Sequence, residues 1–389
     1  MIDDEVRRAV SAVSDPELRL PIGELDMVRG VEVDETGVAR VAIALTIVGC
    51  PAADRITSDV RAAAASVPGV NAVTVEVGVM TPAERGALTE RLRGGRRRMP
   101  FDADSLTRVI AVTSGKGGVG KSTVTANLAV ALADRGLAVG LIDADVHGFS
   151  IPGLLGLVDD DGRPPQPTRV DDLMLPPVAY GVKTISIGMF LPRDSAASGA
   201  VAWRGPMLHR TIQQFLTDVF FGDLDVLLID MPPGTGDVAI SVGQFLPHAE
   251  VIVVTTPQTA AAGVAVRSGV VARQTGQHVI GVVENMSGLT LPDGSTLDLF
   301  GSGGGAAVAA ALSAAGATGP SGDAGEPESV PLLGSVPLSP ALREGGDGGV
   351  PIVVSTPGDP SARALVAIAD QLVQRSRGLA GRSLPFRVP

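Results

Sequence analysis

Cysteine is nearly absent from this sequence. Of 389 residues only Cys50 carries a thiol, so no disulfide can form within the chain. Aromatic residues are almost as scarce, at 3 %, with one tryptophan (Trp203) and one tyrosine (Tyr180). A core must therefore be filled by Ala, Val, Leu and Ile, and the two lone rings read as packing rather than function. His147, His209, His248 and His278 show no metal-ligand spacing with one another or with Cys50. No apolar run approaches the ~18 residues of a membrane span; the stretch 251–266 is broken by Thr255, Thr256, Pro257 and Gln258. Positive charge is also short, with 31 Lys and Arg against 42 Asp and Glu for a net −11. That balance disfavours unspecific binding to DNA or anionic membrane. The start, Met1-Ile2-Asp3-Asp4-Glu5, lacks the basic and apolar stretches of a signal peptide. These absences lead us to expect a cytoplasmic protein with no nucleic-acid and no membrane partner.

Glycine, by contrast, is plentiful. The run Ser114-Gly115-Lys116-Gly117-Gly118-Val119-Gly120-Lys121-Ser122-Thr123 follows the apolar stretch Val109-Ile110-Ala111-Val112 and precedes a helical pattern from Ala126 to Ala133. Gly115, Gly120, Lys121 and Ser122 fit the phosphate-loop spacing G-x-x-x-x-G-K-S/T between a strand and a helix. Its glycines let successive N–H groups turn toward phosphate oxygens, and the helix N-terminus adds partial positive charge. Residues 115–123 are thus the expected nucleoside-triphosphate cradle. Lys121 reaches the β/γ-phosphates and Ser122 offers a hydroxyl to Mg²⁺.

From Arg108 to about Gln374, short β-rich runs alternate with helical stretches, as in a parallel sheet covered on both faces. Strand candidates after the loop are 139–142, 182–187, 226–229, 251–254, 279–283, 332–336 and 352–354. Ligands of such sheets bind beyond the strand carboxyl ends. Asp143 and Asp145 follow one apolar strand, placed to hold Mg²⁺-bound water and orient an attacking water. Asp230 ends Val226-Leu227-Leu228-Ile229, suiting a magnesium-shell acid. The loop Pro232-Pro233-Gly234-Thr235-Gly236 behind it could sense a γ-phosphate. Asn285, after strand 279–283, suits either an adenine edge or the holding of a turn.

Residues 1–92 read differently. A helix face (Val6, Val10, Val13), a turn at Ser14-Asp15-Pro16-Glu17, a hairpin turning at Gly37, a helix over 52–67 and a strand over 70–79 describe a small α+β domain. Cys50 falls at a strand end just before a helix. There a thiol can be acidified for thiolate chemistry or metal ligation, or can simply pack as a small hydrophobe. Residues 93–105 form a linker whose arginines are either a solvated tether or a basic patch. The ATPase-type domain covers 106–376, with low-complexity sequence at 314–329, and 377–389 is a tail. The fold class expected is α/β: a P-loop NTPase with a mostly parallel doubly wound sheet, preceded by the small α+β domain.

The extra lysine, Lys116, resembles the deviant Walker A of the MinD/ParA/nitrogenase-iron-protein class. With Asp143-Ala144-Asp145, Gly205-Pro206-Met207, Asp230-Met231-Pro232-Pro233-Gly234-Thr235-Gly236-Asp237, Glu284-Asn285-Met286-Ser287, Phe300-Gly301-Ser302-Gly303-Gly304-Gly305 and Arg343-Glu344-Gly345-Gly346-Asp347, the chain resembles the Mrp/ApbC family of iron–sulfur cluster carrier ATPases. The first domain is similar to the iron–sulfur-assembly domain that often precedes them. The resemblance implies a homodimer that binds ATP between subunits, hydrolyses it slowly and carries a four-iron, four-sulfur cluster to apoproteins. It also implies that Lys116 reaches the partner's nucleotide. One departure stands out. The family usually has a Cys-x-x-Cys pair after Glu-Asn-Met-Ser, and here Leu291 and Gly294 occupy those places, where neither can ligate iron. ATP binding is untouched by this loss, and Cys50 is the remaining candidate ligand. A MinD/ParA-like positioning switch without a cluster is the alternative.

Overall fold

The computed structural model describes residues 2–47, 52–92, 100–146, 148–191, 205–291, 293–316 and 329–374. Cys50, His147, Trp203, most of the linker and the tail lie outside the described residues. The chain divides into two compact units. One gathers Met1–Pro100 with Pro165–Val178 and Gln213–Gly222; the other comprises Phe101–Pro164, Ala179–Ile212 and Asp223–Pro389.

In the first unit, α1 (Ile2–Ser11) buries Val6 and Val10, one turn apart on a single face. The turn after it is held by Asp15, whose Oδ1 accepts from the amides of Glu17 and Leu18 at 2.8 Å each. Burial raises the Asp15 pKa against the pull of those two amides. Strands β1 (Val28–Val33) and β2 (Val38–Leu45) form the antiparallel hairpin, with Gly37 at φ 81° in its turn. α2 (Ala53–Ala65) then crosses to β3 (Ala72–Val79), which runs parallel to β2. A helix absent from the sequence reading follows, α3 (Pro82–Leu92). Its start is a capping box: Glu84 Oε2 accepts from the Thr81 amide at 2.7 Å, and the Glu84 amide donates to Thr81 Oγ1 at 3.3 Å. The antiparallel pair Thr168–Val170 and Leu173–Leu175 adds Val170, Leu173 and Leu175 to this unit's core.

The second unit is a parallel sheet. Its main strands are β4 (Arg108–Ser114), β5 (Val139–Asp143), β6 (Val182–Ser186), β7 (Val226–Asp230), β8 (Glu250–Thr255), β9 (His278–Thr290) and β10 (Leu332–Leu338). They lie in the order β10-β9-β8-β4-β7-β5-β6, every pairing parallel. β4, β5 and β7 are buried along their whole length, as strands covered on both faces must be. On one face Ile110, Val112, Leu228 and Ile252 pack in a cluster with α4 (Lys121–Asp134) and the terminal helix Pro360–Gln374. Helix α5 (Thr259–Gln274) packs against β4 and β8, and the helix Gly304–Gly316 packs on α5 and β9. The expected strand at 352–354 is instead one helical turn, Ile352–Ser355. Pro351 precedes it, and the amides of Val354 and Ser355 both donate to the Pro351 carbonyl at 2.9 and 3.0 Å. Three β-branched residues do not outweigh a proline-led turn buried against the core. Among the described residues no helix is long and apolar enough to cross a membrane.

Candidate active site

The site grows from strand register. β7 lies between β4 and β5 so that Asp230 stands opposite Val112 on one side and Asp143 on the other. The phosphate loop therefore leaves β4 beside two acids at the same sheet edge. Gly120 begins α4 at φ 76°, and a Cβ there would sit 2.2 Å from Asn285 Nδ2, so only glycine fits both constraints. Gly115 is equally constrained, since a Cβ would come within 2.3 Å of the Ala265 amide nitrogen.

Lys121 is buried at the start of α4. Its Nζ lies 2.7 Å from Asp230 Oδ2, 3.5 Å from Asp145 Oδ2 and 3.2 Å from Ser122 Oγ. Ser122 Oγ donates to Asp230 Oδ2 at 2.5 Å and Thr125 Oγ1 to Asp230 Oδ1 at 2.8 Å. Asp143 Oδ2 accepts from Ser186 Oγ at 2.8 Å, and its Oδ1 from the Asp145 amide at 3.2 Å. Burial raises the pKa of both acids, and the charge on Asp230 pushes Asp143 well above the usual carboxylate range. Asp230 has the ammonium and two hydroxyls to hold its charge. Asp143 is thus the member of the pair that takes up a proton first.

Lys116 donates to Gln258 Oε1 at 2.9 Å. Asn285, nearly fully buried, donates from Nδ2 to the Val119 carbonyl at 2.9 Å and so braces the loop. The amide of Gly234 donates to the Ser114 carbonyl at 2.8 Å, so the 232–236 loop touches the root of the phosphate loop. Two adjoining cavities share Gly120, Thr123 and Ser150. One, of about 370 Å³, is lined by both lysines, Ser122 and Asp145. The other, of about 520 Å³, is more apolar and is walled by Asn285, Met286, Leu338 and Leu342.

The structure thus gathers Gly115 to Thr123, Asp143, Asp145, Asp230 and Asn285 in one place. Thr125, Ser186 and Gln258 escaped the sequence reading. Thr125 was within reach of it, one helical turn after Lys121; Ser186 at the end of β6 and Gln258 at the N-cap of α5 are distant in sequence and leave no local mark.

The hairpin beyond β9 is built otherwise. Leu291 and Gly294 frame a turn in which the Gly294 amide donates to the Leu291 carbonyl at 2.9 Å, with Gly294 at φ 83°. Asp293 Oδ1 accepts from the Ser295 hydroxyl and amide at 2.6 and 2.9 Å, which holds the Asp293 pKa below its ordinary value. Leu297 and Leu299 are exposed on the returning arm. Among the described residues no three His, Cys, Asp or Glu side chains are gathered as a metal site. This hairpin does not fit an iron–sulfur cluster.

A family model of NUBPL iron-transfer P-loop NTPases matches residues 105–373, and one of iron–sulfur cluster assembly proteins matches residues 3–77. The iron–sulfur cluster carrier protein of Mycobacterium tuberculosis is 55 % identical over 382 residues, covering 97 % of this chain and 95 % of the relative. The protein of that name from Synechocystis is 42 % identical over 95 % of this chain and 96 % of its own. Among solved structures, a nucleotide-binding protein of Archaeoglobus fulgidus in complex with ADP is 36 % identical. The match covers 62 % of this chain and 86 % of that one, with a TM-score of 0.49.

Proposed function

Because this chain belongs to the iron-transfer P-loop NTPase family, we propose that it binds and hydrolyses ATP and uses that cycle to deliver iron–sulfur clusters to apoproteins. The observation that carries this reading is the position of Lys121, which lies between Asp230 and Asp145 with Ser122 bonded to the same Asp230 oxygen.

In this reading the amides of residues 115–123 and the start of α4 hold the phosphates, and Lys121 moves from the acids to the β/γ-phosphate oxygens. The base lies in the apolar cavity next to Asn285. Ser122 and Asp230 place a hydroxyl and a carboxylate side by side, a hard-oxygen pair that suits Mg²⁺. The ion would neutralise phosphate charge there. Asp145, which lines the phosphate cavity, orients the attacking water; Asp143 stands behind it, and its carboxyl holds the Asp145 amide. Lys116 supplies the second cation, to the nucleotide of a partner subunit in a homodimer. The cluster is cargo rather than a resident group. Cys50, the chain's sole thiol, serves as its ligand from each of two subunits.

The test is cluster transfer from the loaded protein to an apo-ferredoxin, followed by absorbance with ATP, with ADP and with neither. ATP should accelerate transfer, and Lys121→Ala should erase the acceleration together with nucleotide binding. Transfer indifferent to ATP in the wild type would remove the coupling from the account.

A further inference from the structure

The two lysines of the loop have different partners. Lys121 meets carboxylates, whereas Lys116 donates to the neutral side-chain amide of Gln258 at 2.9 Å. We propose that Gln258 is a positioning residue that keeps Lys116 within its own subunit and releases it when nucleotide phosphates draw the ammonium away. This rests on the reading of Lys116 as the second charge-neutralising cation.

Three features make the pair a built arrangement. Gln258 is the N-cap residue of α5, and its carbonyl already accepts from the amides of Ala261 and Ala262 at 2.9 and 3.1 Å. Its backbone is therefore fixed. Its side chain makes no cap hydrogen bond and reaches across to Lys116 instead. The other end is fixed as well: Ser114 Oγ donates to the Lys116 carbonyl at 3.1 Å, and Gly115 is pressed against the Val264–Ala265 backbone of the same helix. The span from the helix start to the lysine is set by the chain's own packing.

The chemistry of the acceptor explains its use. A carboxylate at 258 would add the attraction of a full ion pair to that hydrogen bond and would cancel the ammonium's charge. An amide oxygen takes one of the three ammonium donors and leaves the charge whole. It holds the side chain in one direction without competing seriously with a triphosphate. Gln258 sets where Lys116 waits, and the nucleotide decides when it leaves.

The experiment uses Gln258→Glu and Gln258→Ala in the full chain, with ATP turnover, nucleotide affinity and melting temperature measured side by side. Glu should lower kcat roughly tenfold at unchanged affinity, and salt should partly restore it by screening the new ion pair. Ala should raise kcat severalfold by freeing the lysine. Equal losses in both variants would mean a merely structural residue and overturn the proposal, as would turnover unchanged in both. Lys116→Ala measured alongside separates the two ideas. Normal turnover in that variant sinks the role of Lys116 itself, whereas an inactive Lys116→Ala beside silent Gln258 variants sinks only the positioning.

Discussion

Two loops leave the same carboxyl edge of the same parallel sheet, and they differ in what they can hold. The 115–123 loop is lined with charge: Lys121 lies among Asp145, Asp230 and the Ser122 hydroxyl, Thr125 holds the same Asp230, and Lys116 rests on Gln258. The hairpin after β9 closes on itself through Asp293 and Ser295 and presents leucines. The first is half a reaction centre before any ligand arrives, its charges brought together by burial and register. In the second, Ser295 takes up the Asp293 carboxylate, and among the described residues no cluster of metal-ligating side chains gathers there. Nucleotide chemistry and cluster ligation are thus separable properties of this architecture. In this chain the first loop brings together the charged groups that suit phosphate binding, and the hairpin carries no thiol that could ligate iron.

The largest effect should come from the loop's outer cation. Lys116→Ala is expected to keep ATP binding, measured by titration, and to lower turnover by about 10³-fold or more, as removal of an arginine-finger-like charge does. Asp145→Asn comes next, with turnover reduced by about 10²-fold and affinity preserved, since water orientation is lost without loss of phosphate contacts. Loss of binding in Asp145→Asn would make it a structural acid and blur the contrast between the loops.

Asp143→Asn sharpens the comparison from the stability side. The folded-state pKa of Asp143 lies above its unfolded value, so the folded protein binds the extra proton. Stability from this group is complete below the unfolded pKa and is lost as pH rises through the raised folded value. Replacing the acid removes that loss. The nucleotide-free variant should melt ~2–4 °C higher than wild type at neutral pH, with the gap closing toward pH 4, as calorimetry across that range would show.

The smallest effect belongs to the hairpin. Gly294→Ala should cost about 1 kcal/mol in denaturant unfolding, because φ 83° strains any side chain. ATP turnover and bound iron should stay unchanged. A fall in iron content would give the hairpin a role in cluster holding that its present side chains do not suggest.

How much of this was legible in advance depends on how locally each feature is encoded. The loop, Asp143, Asp145 and Asp230 could be read because glycine spacing and acids at the ends of apolar runs are contiguous signals. The capping box at Thr81 and Glu84 was equally local, and its helix could have been anticipated. Ile352–Ser355 misled because three β-branched residues imitate a strand, while Pro351 and the core decide otherwise. Ser186 and Gln258 could not be read at all. Ser186 meets Asp143 only because β6 pairs with β5, and Gln258 meets Lys116 only because α5 packs beside the loop. Nor does the linear order show that 165–178 and 213–222 pack with the first hundred residues. Partnerships set by sheet order are properties of the folded chain.

The central claim, that this ATPase carries its cluster on something other than the hairpin, is tested most directly by anaerobic reconstitution with iron and sulfide. Both would be quantified per chain in wild type and Cys50→Ser. The account predicts a cluster on the wild type that disappears with the only thiol. A full complement of iron and sulfide on Cys50→Ser, or none on either protein, would contradict it.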